Sequence, residues 1–469
     1  MKKWLIGAVL ACGTVLSTPE ARAFESASVR VTLLANDDDL ESSDFRTVSH
    51  LGLSLRSPEL GSGLRAEAEL SLLLFASNAG ALTFRDNASF VRLAWRPESW
   101  GEAEGLSLTV LPMSSTRLHL GWEQPAAWGR FVYTSTGSGS GGSGVPGVEA
   151  RLTREQWYAF AAAKSVVGLH QLTLEAERLA LVMAGAGVDV LPPLRLEAAG
   201  AFVQHGTIPA IALQGREERA STRAVSGRVL YHQGAPIGPS VDFSLYRQDP
   251  AVFETLFAPE AYPGGVSASV SLEGTYLHQT LMDPDVFRKT TGQGAEVLAL
   301  QARLKVDFLR LHALALHRSA TFISSESPGL PPFVAFVRDT PLQSELLLSA
   351  GADYHFSGPG LTPGLVVRAV WPATFHNDEG SPLGTSGVAV LRGPGDISIL
   401  PAGRQRQPIL SARATLRWDF GSVFSAIGEA FYAHDPNRTT FDDGPTGVLE
   451  LVPLPPSAVG FNALLQARF

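Results

Sequence analysis

The chain has 469 residues, 45% of them hydrophobic and only 17% charged, with a formal net charge of −8 and one cysteine. High apolar content with little charge excludes a disordered chain, and one cysteine excludes a disulfide scaffold. The longest apolar stretch beyond the N-terminus, Leu179 to Val188, stops at Asp189, far short of the ~18–20 residues of a spanning helix.

The chain opens on a processing signal. Lys2 and Lys3 precede an apolar core from Trp4 to Leu16, and Ala21-Arg22-Ala23 forms a small-x-small cleavage site. Residues 1–23 therefore read as a secretory signal peptide and residues 24–469 as one domain. The alternative, a lipoprotein box ending in Cys12, leaves too few residues before the cysteine. Cleavage takes three positive charges and one negative charge away, moving the net charge to −10 and leaving Lys164, Lys289 and Lys305 as the remaining lysines. A net-acidic chain without a basic run argues against nucleic acid.

From Phe24 onward the apolar side chains recur at every second position. Leu64, Ala66, Ala68, Leu70, Leu72 and Leu74 oppose Arg65, Glu67, Glu69 and Ser71; Leu410, Ala412, Ala414, Leu416 and Trp418 oppose Ser411, Arg413, Thr415 and Arg417. This is the period of a strand with one apolar and one polar face. In chain order the candidate strands are 26–35, 45–56, 64–75, 88–97, 105–122, 156–166, 171–178, 180–191, 194–205, 223–232, 240–248, 265–280, 295–308, 309–320, 342–356, 361–372, 408–420, 423–434 and 458–469. A soluble sandwich and a membrane barrel both produce such strands. The barrel fits better: the runs suit a tilted strand crossing a bilayer, and aromatics fall near strand ends (Trp95, Trp122, Tyr231, Tyr276, Tyr354, Trp371, Trp418, Tyr432) as an interfacial girdle would. Connections come in two sizes. Gly358-Pro359-Gly360 and Gly421-Ser422 are tight, while 124–155, 206–222, 321–341, 373–407 and 435–456 are long.

The final segment ends on an aromatic, with Val459, Phe461, Ala463, Leu465, Ala467 and Phe469 on one face. This resembles the C-terminal strand of bacterial outer-membrane β-barrel proteins. The resemblance implies an all-β, transmembrane antiparallel β-barrel with short periplasmic turns and long extracellular loops. It also implies outer-membrane lipid as surroundings and recognition of Phe461, Leu465 and Phe469 by the barrel-assembly machinery. Nineteen candidates conflict with the even strand number of such barrels. Either 171–191 or 295–320 is one strand, or Pro112 splits 105–122. About 18 strands are expected, with 16–20 allowed.

The polar face is of mixed charge: Arg65, Glu67, Glu69, Arg92, Arg96, Glu273, Arg303, Asp307, Arg368, Arg413, Arg417, Asp419 and Arg468, with Glu175, Glu177, Arg195, Glu197, Arg228, Asp242, Glu345, Asp353 and Glu429 in the same set. Buried charges need water or partners. They read as the lining of a water-filled, porin-like channel for passive diffusion of small solutes or ions, into which 124–155 or 373–407 can fold. Two alternatives stand: a surface scaffold or adhesion protein whose lumen is closed by ion pairs, and a transporter of hydrophobic molecules. Small residues at Ala180, Ala184 and Ala186 leave a homo-oligomer open. The glycine-rich run 135–144 lacks the Lys-Ser/Thr of a phosphate loop. The acidic run 36–44 lacks the glycine of an EF-hand and reads as solvated, with Ca²⁺ binding as the alternative. No cofactor, metal site or enzyme is expected: the histidines form no metal pair, and His317 with Ser319, or His434 with Asp435, is not triad spacing.

Overall fold

The computed structural model describes residues 25–37, 46–76, 82–133, 144–170, 173, 175–213, 216–238, 260, 262–286, 288–326, 334–377, 387–393, 396–401, 403–443 and 449–469. The expected signal segment, the expected strand 240–248, most of the glycine-rich run and most of the acidic run lie outside the described residues.

The strands are β1 (Ser26–Asp37), β2 (Arg46–Arg56), β3 (Leu64–Ala76), β4 (Leu82–Asp86), β5 (Phe90–Trp95), β6 (Gly105–Leu111), β7 (Gly147–Thr153), β8 (Trp157–Leu169), β9 (Ala176–Leu191), β10 (Leu194–Thr207), β11 (Arg219–Gln233) and β12 (Val266–Met282). They continue as β13 (Thr290–Val306), β14 (Leu309–Arg318), β15 (Glu345–Tyr354), β16 (Leu361–Trp371), β17 (Ala373–Asn377), β18 (Gly387–Gly393), β19 (Asp396–Leu400), β20 (Ile409–Phe420), β21 (Phe424–His434), β22 (Thr439–Asp443), β23 (Leu449–Pro453) and β24 (Ser457–Arg468). Two short helices, α1 (Pro209–Ala212) and α2 (Ala320–Glu326), and a 3₁₀ turn, Gln124–Ala126, complete the set.

Nineteen strands form one antiparallel sheet that closes where β1 pairs with β24, Leu33 opposite Leu465. β4 and β5 both pair with β3, one above the other, so the barrel has eighteen strand positions. The break between them is built around Ala88, whose φ is 61°, and is held where the Ser71 amide donates to Ser89 Oγ and the Asn87 amide to the Ser71 carbonyl. Closure leaves no backbone edge, the condition for strands to cross hydrocarbon.

Apolar rows on alternate residues face outward and stay exposed: Leu298, Leu300 and Leu311 beside Leu346 and Leu348, then Leu365, Val367, Leu410 and Leu416. An aqueous protein does not expose apolar patches of that extent; a lipid-facing barrel must. At one end Trp95, Trp157, Tyr231, Tyr354, Trp418, Phe424 and Phe469 form an exposed belt.

Several sequence expectations change. The segments 171–178 and 180–191 merge into the single strand β9. The segment 105–122 stops as a strand at Leu111, before Pro112 removes a ladder donor. β7 lies inside a stretch read as loop. Trp122 is not in the girdle but inside the barrel, as described below. The two- and three-residue turns between barrel strands gather at one end and the longest connections mostly join strands at the other, except that β11 ends and β12 begins at the tight-turn end, while β8–β9 and β12–β13 are joined by short connections at the long-loop end.

At the long-loop end α2 packs with β17 and β18 through Ala320, Ile323, Ala373, Phe375, Ala389 and Leu391. The described strands β17 and β18 of segment 373–407 thus lie against α2 at this end.

Candidate functional site

After β6 the chain turns into the barrel, and residues 112–133 cross its interior. Trp128 is 1% exposed among Leu118, Leu120, Leu181, Met183, Val203, Leu277, Val297, Leu316 and Phe322. Its Nε1 donates to Ser325 Oγ of α2 at 3.1 Å. Leu181, Met183, Val203, Leu277, Val297 and Leu316 sit on β9–β14, so that part of the wall carries apolar side chains on its inner face as well as its exposed outer face.

The turn of the segment is docked by polar groups. Glu273, on β12 and 0% exposed, accepts from the Trp122 amide at 2.8 Å and from the Glu123 amide at 2.7 Å. Trp122 Nε1 donates to Tyr158 Oη at 2.6 Å, and Tyr158 Oη donates to Glu197 at 2.7 Å. Arg228 bridges Glu197 and Glu123, and Arg303 lies 3.6 Å from Glu123. Beyond the turn, Lys164 Nζ donates to the carbonyls of Gly129 at 2.9 Å and Arg130 at 3.1 Å. At the opposite flank, Arg117 reaches the Ala88 carbonyl and Glu69. Gly121 is required here: its φ is +97°, and a Cβ would stand 2.6 Å from Glu273 Oε1.

His119 is neutral by its bonds. Its Nδ1 donates to the Arg117 carbonyl at 2.9 Å, and its Nε2 faces Arg130 Nη2 at 3.4 Å as an acceptor. Burial, with Arg130 and Lys164 nearby, holds its pKa well below 6.5.

The remaining wall is different. On β16, β20, β21, β24 and β1 the inner face carries five arginines, Arg30, Arg368, Arg413, Arg417 and Arg468, against two carboxylates, Asp419 and Glu429. Arg413 donates to Glu429 at 2.8 Å and Arg417 to Asp419 at 3.0 Å. Arg30 and Arg468 are direct cross-strand partners, an arrangement of like charges that raises the local positive potential.

The sequence-selected residues sort accordingly. Glu67 pairs with Arg56 and Arg92, and Glu69 with Arg30 and Arg117. Arg65 lies 4.0 Å from Glu59 near the tight-turn end. Glu273 and Arg303 meet the inward segment. Arg368, opposite Ser349 and Ser411 in register, joins Arg413, Arg417, Asp419 and Arg468 on the arginine wall. Two do not sit on a strand face. Arg96 follows the end of β5, its amide on the Gly63 carbonyl. Asp307 is at the β13–β14 turn with φ 52° and accepts from the Gly265 amide at 2.8 Å; a turn of two residues leaves no room for further strand. Phe461 and Leu465 stand on the outer face of β24, and Phe469, just past its end, meets Phe424 edge to face at 6.4 Å.

Sequence reasoning missed Lys164, Arg117, Glu123 and Trp128, and a second interior cluster at the tight-turn end. There Glu260 accepts from Lys305 and Arg310, Arg310 donates to Asp353 at 2.6 Å, and His312 Nε2 lies 3.0 Å from Asp353. Tyr262 stacks on His355 at 4.4 Å. One signal was available. The run Leu179–Val188 is apolar at both parities, the mark of a strand covered on two faces. The histidine pairs take structural bonds: Ser319 Oγ binds the Glu296 carbonyl, His434 Nδ1 meets Ser457 Oγ, and Asp435 pairs with Arg392.

No family model matches the chain, and no curated protein is significantly similar to it. Solved structures are. The chain is similar to OccD3 (OpdP) of Pseudomonas aeruginosa at a TM-score of 0.51 and 10% identity, over 97% of this chain and 97% of that one. The outer membrane protein OpdK of the same organism matches at 0.49 and 9% identity, over 95% of this chain and 99% of that one. OccK2 (OpdF) in complex with glucuronate matches at 0.48 and 8%, over 94% and 97%. At such identities the likeness is one of fold, and the OccD3 match spans the barrel from end to end.

Proposed function

We propose that the protein is an outer-membrane channel for passive diffusion of small polar solutes, with a preference for anions. The observation that carries this reading is the asymmetric interior. Segment 112–133 is docked against β8–β13, and the facing wall presents five guanidinium groups, three of them paired with Glu69, Glu429 and Asp419. A lumen charge of one sign favours counter-ions in proportion to how far water is excluded from it. The exposed apolar outer face supports a lipid surround, and the N-terminal signal and terminal Phe469 support export and assembly in an outer membrane. In that setting the tight turns face the periplasm and the long connections the exterior.

The test is reconstitution into planar bilayers under a KCl gradient. Stepwise conductance with a reversal potential favouring chloride is expected. A membrane without conductance steps, despite inserted protein, would overturn the channel reading.

A further inference from the structure

We infer that Lys164 and Glu273 are a pair of positioning residues that clamp the inward segment from both sides of its turn and thereby set the width of the solute path. The inference rests on the channel reading for its last clause and on geometry alone for the clamp.

The geometry is reciprocal. The 3₁₀ turn Gln124–Ala126 is preceded by two amides and followed by two carbonyls that the turn itself does not use. The Glu273 carboxylate takes both amides, one per oxygen, at 2.8 and 2.7 Å. The Lys164 ammonium takes both carbonyls, at 2.9 and 3.1 Å. An acceptor-only group meets donors, and a donor-only group meets acceptors. Both side chains are almost fully enclosed, Glu273 at 0% and Lys164 at 1% exposure. A buried charge is tolerated only when its partners stay in place. Undocking the segment would strip both groups of these bonds while they remain on the barrel wall, so each penalises any movement of 112–133 into the lumen.

The choice of residue types supports a dedicated role. Arginine supplies nearly all the positive charge of this chain, yet a lysine stands here. A compact ammonium with three rotatable donors satisfies two successive carbonyls from a single atom and needs less room than a planar fork. Gly121 completes the device, because only a residue without a Cβ lets the segment approach the Glu273 carboxylate so closely. Glu273 holds the segment before its turn and Lys164 holds the return limb, where Trp128 adds apolar burial and a hydrogen bond to Ser325 of α2.

The experiment measures amide hydrogen exchange of the whole protein in detergent micelles, read in peptides covering residues 118–132 and, as a control, β20 and β21. In the wild type the Trp122 and Glu123 amides should be as protected as those of the strands, although they belong to none. Unprotected amides would overturn the clamp without any variant being made. In Lys164→Met and Glu273→Gln, exchange in 118–132 should rise roughly tenfold or more while β20 and β21 do not change. Single-channel conductance should rise by about half or more, with added open-state noise. Unchanged exchange in either variant refutes the clamp. Faster exchange at unchanged conductance refutes its control of the path. A wild type that conducts nothing refutes the channel reading instead, and the exchange data still decide the clamp.

Discussion

The β8–β13 wall and the β16–β1 wall are made of the same alternating strands, but their inner faces do opposite things. On the first, charges are consumed by structure: Glu273, Glu197, Arg228 and Lys164 all bind the inward segment or its supports. On the second, arginines outnumber carboxylates: Arg30, Arg413 and Arg417 pair with Glu69, Glu429 and Asp419, and Arg30 still faces Arg468 across a strand pair. An inner-face charge in a barrel therefore has no fixed meaning. Its role depends on whether another chain segment covers it.

That contrast can be broken at four points. The largest effect is expected from Arg228→Met, which leaves Glu197 and Glu123 enclosed without their shared cation. Stability should fall by about 3–5 kcal/mol, measured as the loss of the compact band in heat-titrated gels. Next is Gly121→Ala, where a left-handed φ of +97° and a 2.6 Å approach to the carboxylate both oppose the methyl group. A cost of about 1–3 kcal/mol is expected, appearing as faster exchange of 118–132 and larger conductance.

The third is a pH effect at His119. Its folded pKa lies below the ordinary 6.5, so the unfolded or undocked form takes up a proton first. The contribution to docking is complete above pH 6.5 and is lost as pH falls toward the lowered folded value. Protonation also ends the acceptance from Arg130. Conductance noise should therefore grow as pH falls below 6.5, and His119→Gln should flatten that dependence. The smallest effect on stability is expected from Arg468→Gln, within about 1 kcal/mol because the group is partly exposed. The same substitution should shift the reversal potential toward cations. A large loss of stability there would erase the distinction between the two walls.

Much of the fold was legible in the sequence because lipid imposes a strict period-two code. β3, β20 and β21 match their expected spans closely, while β13 begins five residues before its expected start at 295. The eighteen strand positions were reached by compensation. β7 was missed since its seven residues follow a glycine-rich run. The two candidates covering 171–191 were one strand, and 240–248 is outside the described residues.

The site was less legible. The period that separates inside from outside does not say which inner residues are covered by a segment returning from elsewhere in the chain. Trp122 was assigned to the girdle because it ended an apparently alternating stretch, and Pro112 was the sign that the stretch had already ceased to be a strand. Lys164 sits among alanines in β8 and carries no local signal at all. It pairs with carbonyls 34 and 35 residues away, a relation that only the folded barrel creates.

The most direct test compares the two walls by thiol access. Residues 24–469 contain no cysteine, so single cysteines can replace Ser411, beside Arg368 on the arginine wall, and Ser226, buried against Thr275 under the inward segment. A negatively charged methanethiosulfonate added to open channels should react with Ser411→Cys and reduce the current, leaving Ser226→Cys untouched. Reaction at Ser226→Cys with Ser411→Cys inert would place the path on the other wall and contradict the docked arrangement.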